Sequence, residues 1–323
     1  MNNADYAYSV AYIRSVENNL LDKNDIEGLI LAKTPEEAMR ILNDKGYTKE
    51  PTPPSELEQV LSCKLEEAFT MVSDIAPKGA PLDILLYEND FCNLKVAVKS
   101  VFAGIKDVSE LFMTPSTVSV NLLEEAVADK KFDALPDFLK YVAERAYEAI
   151  ANTEDSQLLD IIIDKASMDY TLNMAKECGS DFLYSYVSLK NTLSDIKIAY
   201  RSMMTEKDRT FLEQALSEHS ELDKDGLIMA TLGGADSLMN FISENGFDEE
   251  AKALKESMSN FEVYSDAKKN AYLSESDMIS LGIEPLLAYL IKIQTEISKI
   301  RIILSCKMNG FSENNIRERL ETL

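Results

Sequence analysis

Asp90-Phe91-Cys92-Asn93-Leu94-Lys95 returns as Thr192-Leu193-Ser194-Asp195-Ile196-Lys197, and again as Glu296-Ile297-Ser298-Lys299-Ile300-Arg301. Each copy sets a polar or acidic residue, a second polar residue three places on, an aliphatic and then a cation. An apolar stretch follows every time: Val96-Ala97-Val98, Ile198-Ala199-Tyr200 and Ile302-Ile303-Leu304. The cations Lys95, Lys197 and Arg301 are 102 and 104 residues apart. A pattern repeated at so even an interval means one structural unit used three times. It predicts an all-α body of three similar units, 1–107, 108–208 and 209–323, with approximate threefold symmetry about an axis.

The helical reading extends outward from the motif. Tyr6, Val10, Ile13, Val16 and Leu20 share one face of a first helix. A second pattern runs from Ile26 to Leu42 and is interrupted at Thr34-Pro35-Glu36, where Thr34 caps a new helix that has Pro35 in its first turn. Ser55-Glu56-Leu57-Glu58 has the form of a capping box. The helix behind it is expected to bury Leu57, Leu61, Leu65, Ala68, Phe69 and Val72. Leu21-Asp22-Lys23 leading to Gly46-Tyr47 is echoed by Leu222-Asp223-Lys224 leading to Gly246-Phe247. A more diverged middle copy, Val120 to Leu139, is expected to finish near Tyr147.

The bulk numbers agree with a helical, soluble chain. Of 323 residues only 11 are Gly and 9 Pro, few breakers for a turn-rich sheet protein. A net charge of −23 argues against a general binder of nucleic acid or anionic membrane, which requires a positive surface. Cys63, Cys92, Cys178 and Cys306 are widely separated, as reduced thiols are in a cytosolic protein. Met1 to Leu21 lacks the layout of a signal peptide, and no apolar run approaches the roughly 20 residues needed to span a bilayer. The expectation is a cytoplasmic chain with no membrane span.

Residues for catalysis are sparse, and neither a cofactor nor a metal is expected. No phosphate-cradling glycine loop of the G-x-x-x-x-G-K-[ST] type is present. Leu232-Gly233-Gly234-Ala235 reads as a helix break, and the single histidine, His219, as a solvated loop or helix-end residue. Asp160 and Asp164 share a helix face. They are either a Mg²⁺ pair, as in an all-α synthase, or a structural pair neutralised by cations of neighbouring helices. Lys95, Lys197 and Arg301 are the strongest functional candidates, with Asp90, Asn93 and Glu296 in the same motifs. Each cation sits about 140° around its helix from the residue five places before it, so it must reach another helix or a partner. Two roles stand side by side: the lining of a central cavity that receives another protein, or ion pairs that lock helix to helix. A solenoid-type helical scaffold is the alternative architecture.

The C-terminal third carries a resemblance. Gly282-Ile283-Glu284-Pro285-Leu286-Leu287-Ala288-Tyr289-Leu290 runs into the third motif copy, then Lys307-Met308-Asn309-Gly310-Phe311 and Ile316-Arg317-Glu318-Arg319-Leu320. This resembles the C subunits of the rotary V-type and A-type ATPases, the family of the eukaryotic d subunit. The family pattern is E-P-L-x-x-Y, then E-x-x-N-[IL]-R, a G-K-x-x-G-like stretch and I-R-x-x-L. Tyr8, Arg14, Leu20-Leu21, Tyr87 and Asp164-Lys165 add further matches. Lys299 departs from the family's Asn, and Thr192 with Asp195 replace the acid and the amide. The resemblance implies a pseudo-threefold funnel on the cytoplasmic face of a membrane rotor ring. It implies a non-catalytic rotor part, with the central shaft of D and F subunits docking into it and proteolipid hairpins beneath, serving proton or sodium transport.

Overall fold

The computed structural model describes residues 3–105, 107–153 and 155–320. In chain order the helices are α1 (Ala7–Val16), α2 (Lys23–Leu31), α3 (Pro35–Asp44), α4 (Leu57–Ile75), α5 (Tyr87–Ala103), α6 (Val120–Ala128), α7 (Asp137–Thr153) and α8 (Ser156–Glu177). They continue as α9 (Asp181–Met204), α10 (Arg209–Ala215), α11 (Lys224–Leu232), α12 (Ala235–Glu244), α13 (Asp248–Glu256), α14 (Met258–Glu275), α15 (Glu284–Met308) and α16 (Glu313–Leu320). Short 3-10 turns join some of them, and there is no strand among the described residues. The expected all-α class is therefore observed. The helices group into two compact units, 1–82 with 257–323, and 83–256.

Local chemistry explains most helix ends. Asp22 opens α2 with a complete capping box: its Oδ1 accepts the Asn24 and Asp25 amides at 2.7 and 2.8 Å, and Asp25 returns a carboxylate to the Asp22 amide at 3.1 Å. Thr34 caps α3 through the Glu37 amide, with Pro35 in the first turn as expected. Gly46 and Gly246 stop α3 and α12 at φ of 78° and 92°, where a side chain would be strained. The middle copy departs from expectation here: Tyr147 lies inside α7, which runs on to Thr153. Its preceding residue is Ala146, fully buried, so nothing supplies the left-handed turn that ends the other two helices.

Two further boundaries differ from the sequence reading. No side chain caps α4; Pro54–Glu56 forms a 3-10 turn instead, and Glu58 is drawn away to an ion pair with Arg301. The first helix ends at Val16 rather than Leu20. Leu20 is extended, with φ −66° and ψ 149°, which delivers the next amide to a distant carboxylate.

In the first unit the long helix α15 is the core element. It buries Leu286, Leu287, Leu290, Ile293, Ile300, Ile303 and Leu304 and packs on α1, α2, α3, α4, α14 and α16. Each fully buried aliphatic side chain contributes about 1.5–3 kcal/mol, which makes α15 the largest apolar contributor here. α4 buries the six residues predicted for it, and Val60 besides. In the second unit α5, α7 and α8 enclose an aromatic cluster of Tyr87, Phe91, Phe138 and Tyr170, with ring centroids 4.7–6.0 Å apart. α9, flanked by α8, α10, α11 and α12, is the other buried rod.

Candidate functional site

The three motif copies lie on α5, α9 and α15, the deeply buried helices, and each grips a loop that leads into a short helix. On α5 the Asp90 carboxylate accepts the Thr117 and Val118 amides at 2.9 and 3.0 Å, and the Thr117 hydroxyl as well. One turn on, Asn93 clasps the Met113 peptide: Oδ1 accepts its N–H at 2.7 Å and Nδ2 donates to its carbonyl at 2.9 Å. This loop precedes α6. On α9, Thr192 Oγ1 accepts the Glu221 amide at 3.0 Å and Asp195 Oδ1 accepts the Ser217 amide at 3.0 Å, in the loop before α11. On α15, Glu296 Oε2 accepts the Leu21 amide at 2.5 Å, just before α2, and its Oε1 takes the Tyr47 hydroxyl proton.

The geometry is the same in copies one and two. The first polar position holds a loop amide, and the second holds the amide four residues earlier. In the third copy the residue four before Leu21 is Glu17, whose carboxylate pairs with Arg14 at 2.6 Å, and the second polar position of the motif is Lys299. Arg14 also donates to the Ser276 and Ile279 carbonyls, at 2.6 and 3.2 Å, fastening α1 to the turn before α15.

Burial of these acids perturbs them. Asp90 and Asp195 are at most 1% exposed and Glu296 8%. Desolvation raises the Asp90 carboxyl above the usual range despite the Thr117 and Val118 bonds that favour its charged form. It raises Glu296 in the same way against Tyr47 and the Leu21 amide. Asp195 is pushed up to about 7 by burial, with only the Ser217 amide and Ser220 as the chief opposing bonds. Tyr47 is driven upward by burial and by the Glu296 charge beside its hydroxyl.

Lys95 and Arg301 reach other helices. Lys95 Nζ lies 2.6 Å from Asp164 on α8, and Lys99, one turn on, lies 2.7 Å from Asp160. Asp160 and Asp164 thus have the structural role weighed for them, neutralised by two lysines of a neighbouring helix. Arg301 pairs with Glu58 of α4 at 2.9–3.0 Å. Lys197 is partly buried at the equivalent place on α9. Arg301 and Glu58 are 35% and 51% exposed, so solvent screens them. A double-mutant cycle of Arg301→Ala and Glu58→Ala in urea melts should give a coupling of about 0.2–1 kcal/mol that fades with salt. A coupling that ignores salt would contradict this picture.

Other candidates behave as local structure. His219 is exposed in the loop between α10 and α11, and Gly233-Gly234 breaks α11 from α12. Among the described residues no group of three His, Cys, Asp or Glu side chains is placed to hold a metal, and no helix is long and apolar enough to cross a membrane. The sequence reading missed the loop partners Thr117, Met113, Ser217, Glu221 and Leu21, and also Tyr47 and Glu58. A signal for them existed: the recurring Leu-Asp-Lys at 21–23 and 222–224 marks two of the three gripped loops.

A family model described as ATP synthase (C/AC39) subunit matches residues 9–319. The chain is 23% identical to the C subunit of the V-type sodium ATPase of Enterococcus hirae, over 95% of each chain. It is 20% identical to the C subunit of the A-type ATP synthase of Methanocaldococcus jannaschii, covering 99% of this chain and 87% of the relative.

Proposed function

Because this chain belongs to the ATP synthase (C/AC39) subunit family, that of the V/A-type ATPase C subunits, we propose that it is the piece that couples the rotor shaft to the membrane ring. In this reading the D and F subunits of the shaft dock in its upper opening and the proteolipid ring lies beneath. The chain sits on the cytoplasmic face, transmits torque for proton or sodium transport or for ATP synthesis, and catalyses nothing itself.

The observation that carries this reading is the recurrence of the ties. On each motif helix a polar side chain holds the loop before a short helix: Asp90 the Thr117 amide, Asp195 the Ser217 amide and Glu296 the Leu21 amide. Three like ties on three motif helices are what a body of three similar units calls for, and they support the three-unit funnel as our reading over an irregular scaffold. Buried ties between densely packed helices also make a stiff body, as torque transfer requires.

Lys95, Lys197 and Arg301 are the proposed lining of the socket. Exposed ion pairs such as Lys95–Asp164 and Arg301–Glu58 contribute only about 0–1 kcal/mol, so the cations can exchange their partners for acceptors on a shaft at little cost. Asp90, Asn93 and Glu296 are buried against their own chain, so their part in the socket is to hold the loops that shape it. The combined variant Lys95→Ala, Lys197→Ala, Arg301→Ala should stay folded by circular dichroism and lose about tenfold in affinity for the D–F shaft in a pull-down. Unchanged capture by the folded variant would remove the socket role from these residues.

A further inference from the structure

In the first unit α1 and α4 lie side by side, joined where the Ser9 hydroxyl donates to the Ile75 carbonyl at 2.5 Å. Above that bond they leave an open groove of about 640 Å³. One wall is Tyr8 and Tyr12, a turn apart on α1, with ring centroids 6.3 Å from each other. The other wall is the outward face of α4, with Glu66, Glu67 and Asp74 around Met71. α1 turns Ser9, Val10 and Ile13 into the core, and so leaves Tyr8 68% and Tyr12 38% exposed.

An acidic surface is common on a chain of net charge −23; a pair of open phenol rings facing three carboxylates across a trough is a different arrangement. Aromatic faces attract a guanidinium or an ammonium through the ring quadrupole, and carboxylates hold the same cation by charged hydrogen bonds. Met71 and Ile75, half-buried beneath, offer an apolar floor for an aliphatic anchor. Two facing walls with such a floor seat a helix whose one face is apolar and whose flanks are basic. We propose that this groove docks a cationic amphipathic helix of a partner protein. The site shares no residue with the motif ties and their ion pairs, and does not rest on the coupling role.

Cys63, exposed at the end of the groove, reports occupancy directly. The probe is a labelled synthetic helical peptide of about 18 residues, comparable in length to α4, with a leucine face and Lys/Arg flanks. Its counterpart carries Glu in place of every Lys and Arg. At physiological salt the full chain should bind the cationic peptide at least about tenfold more tightly than the acidic one, and saturation should slow alkylation of Cys63. Tyr12→Ala, and Glu67→Gln combined with Asp74→Asn, should each weaken binding about fivefold with circular dichroism unchanged. Equal affinity for the two peptides, wild-type affinity in the groove variants, or an unaltered Cys63 rate would each overturn the proposal. So would dimerisation of the chain, seen by sedimentation, that protects Cys63 with no peptide present, since a second copy would then own the groove. Shaft capture is measured separately, so a failure of the coupling role would be seen apart from a failure here.

Discussion

Replacing Glu296 by alanine should destabilise the chain by roughly 2–6 kcal/mol, the cost of leaving a buried hydroxyl and a part-buried amide without an acceptor. The donors are the Leu21 amide and the Tyr47 hydroxyl, 275 and 249 residues away in the chain. One side chain thus ties the last motif helix to both ends of the α2–α3 pair. The loss should be local at first: hydrogen exchange at Leu21 should accelerate, and protection of α2 and α3 should fall before that of α15. Glu296→Gln is the informative control. Burial already favours the uncharged acid at this position, so a neutral side chain of the same shape with one acceptor oxygen should cost much less than alanine. An alanine variant within about 1 kcal/mol of the parent in urea, with Leu21 still protected, would show that this tie does not hold the first helices.

Asp195→Asn should have the opposite sign and depend on pH. The Asp195 carboxyl titrates near 7 in the fold against an ordinary 3.8, because it is buried and has few bonds that favour its charge. A raised acid binds its proton more tightly folded than unfolded. Its favourable contribution is therefore intact below about pH 4 and is lost as pH climbs towards 7. By the same linkage, the amide should stabilise the chain at pH 8 by on the order of 2–4 kcal/mol, and change little at pH 4. The geometry is ready for it. Asn93 in the first copy shows an amide clasping both the N–H and the carbonyl of Met113, and the Ser217 N–H meets Asp195 as the Met113 N–H meets Asn93. Thermal melts of both proteins across this range test the claim. A gain equal at pH 4 and pH 8 would mean that charge burial is not the cause.

Much of the fold could be read locally. Apolar spacing located α4 and its buried face, Thr34 with Pro35 placed the start of α3, and Gly46 and Gly246 placed two ends, because helix caps and stops depend on residues a few places apart. The same logic misjudged Ser55–Glu58, where a remote arginine claims the carboxylate that a capping box would use. It also misjudged Tyr147, where the aromatic recurs and the glycine before it does not. Of the candidate site, the cations were found and one of their two weighed roles, helix-to-helix pairing, is seen for Lys95 and Arg301. That Asp90, Asn93 and Glu296 are buried anchors for loops was not legible. A carboxylate reads alike in sequence whether it meets water or a peptide amide.

By itself, then, the sequence determined that the chain is helical, that one short motif recurs three times, and which family it resembles. These follow from periodicity and short-range chemistry, which are written in neighbouring residues. Only the tertiary structure decided which loop each motif holds, since a hydrogen bond forms with whichever buried donor packing brings within about 3 Å, however far away in the chain. Leu21 meets Glu296 for that reason alone.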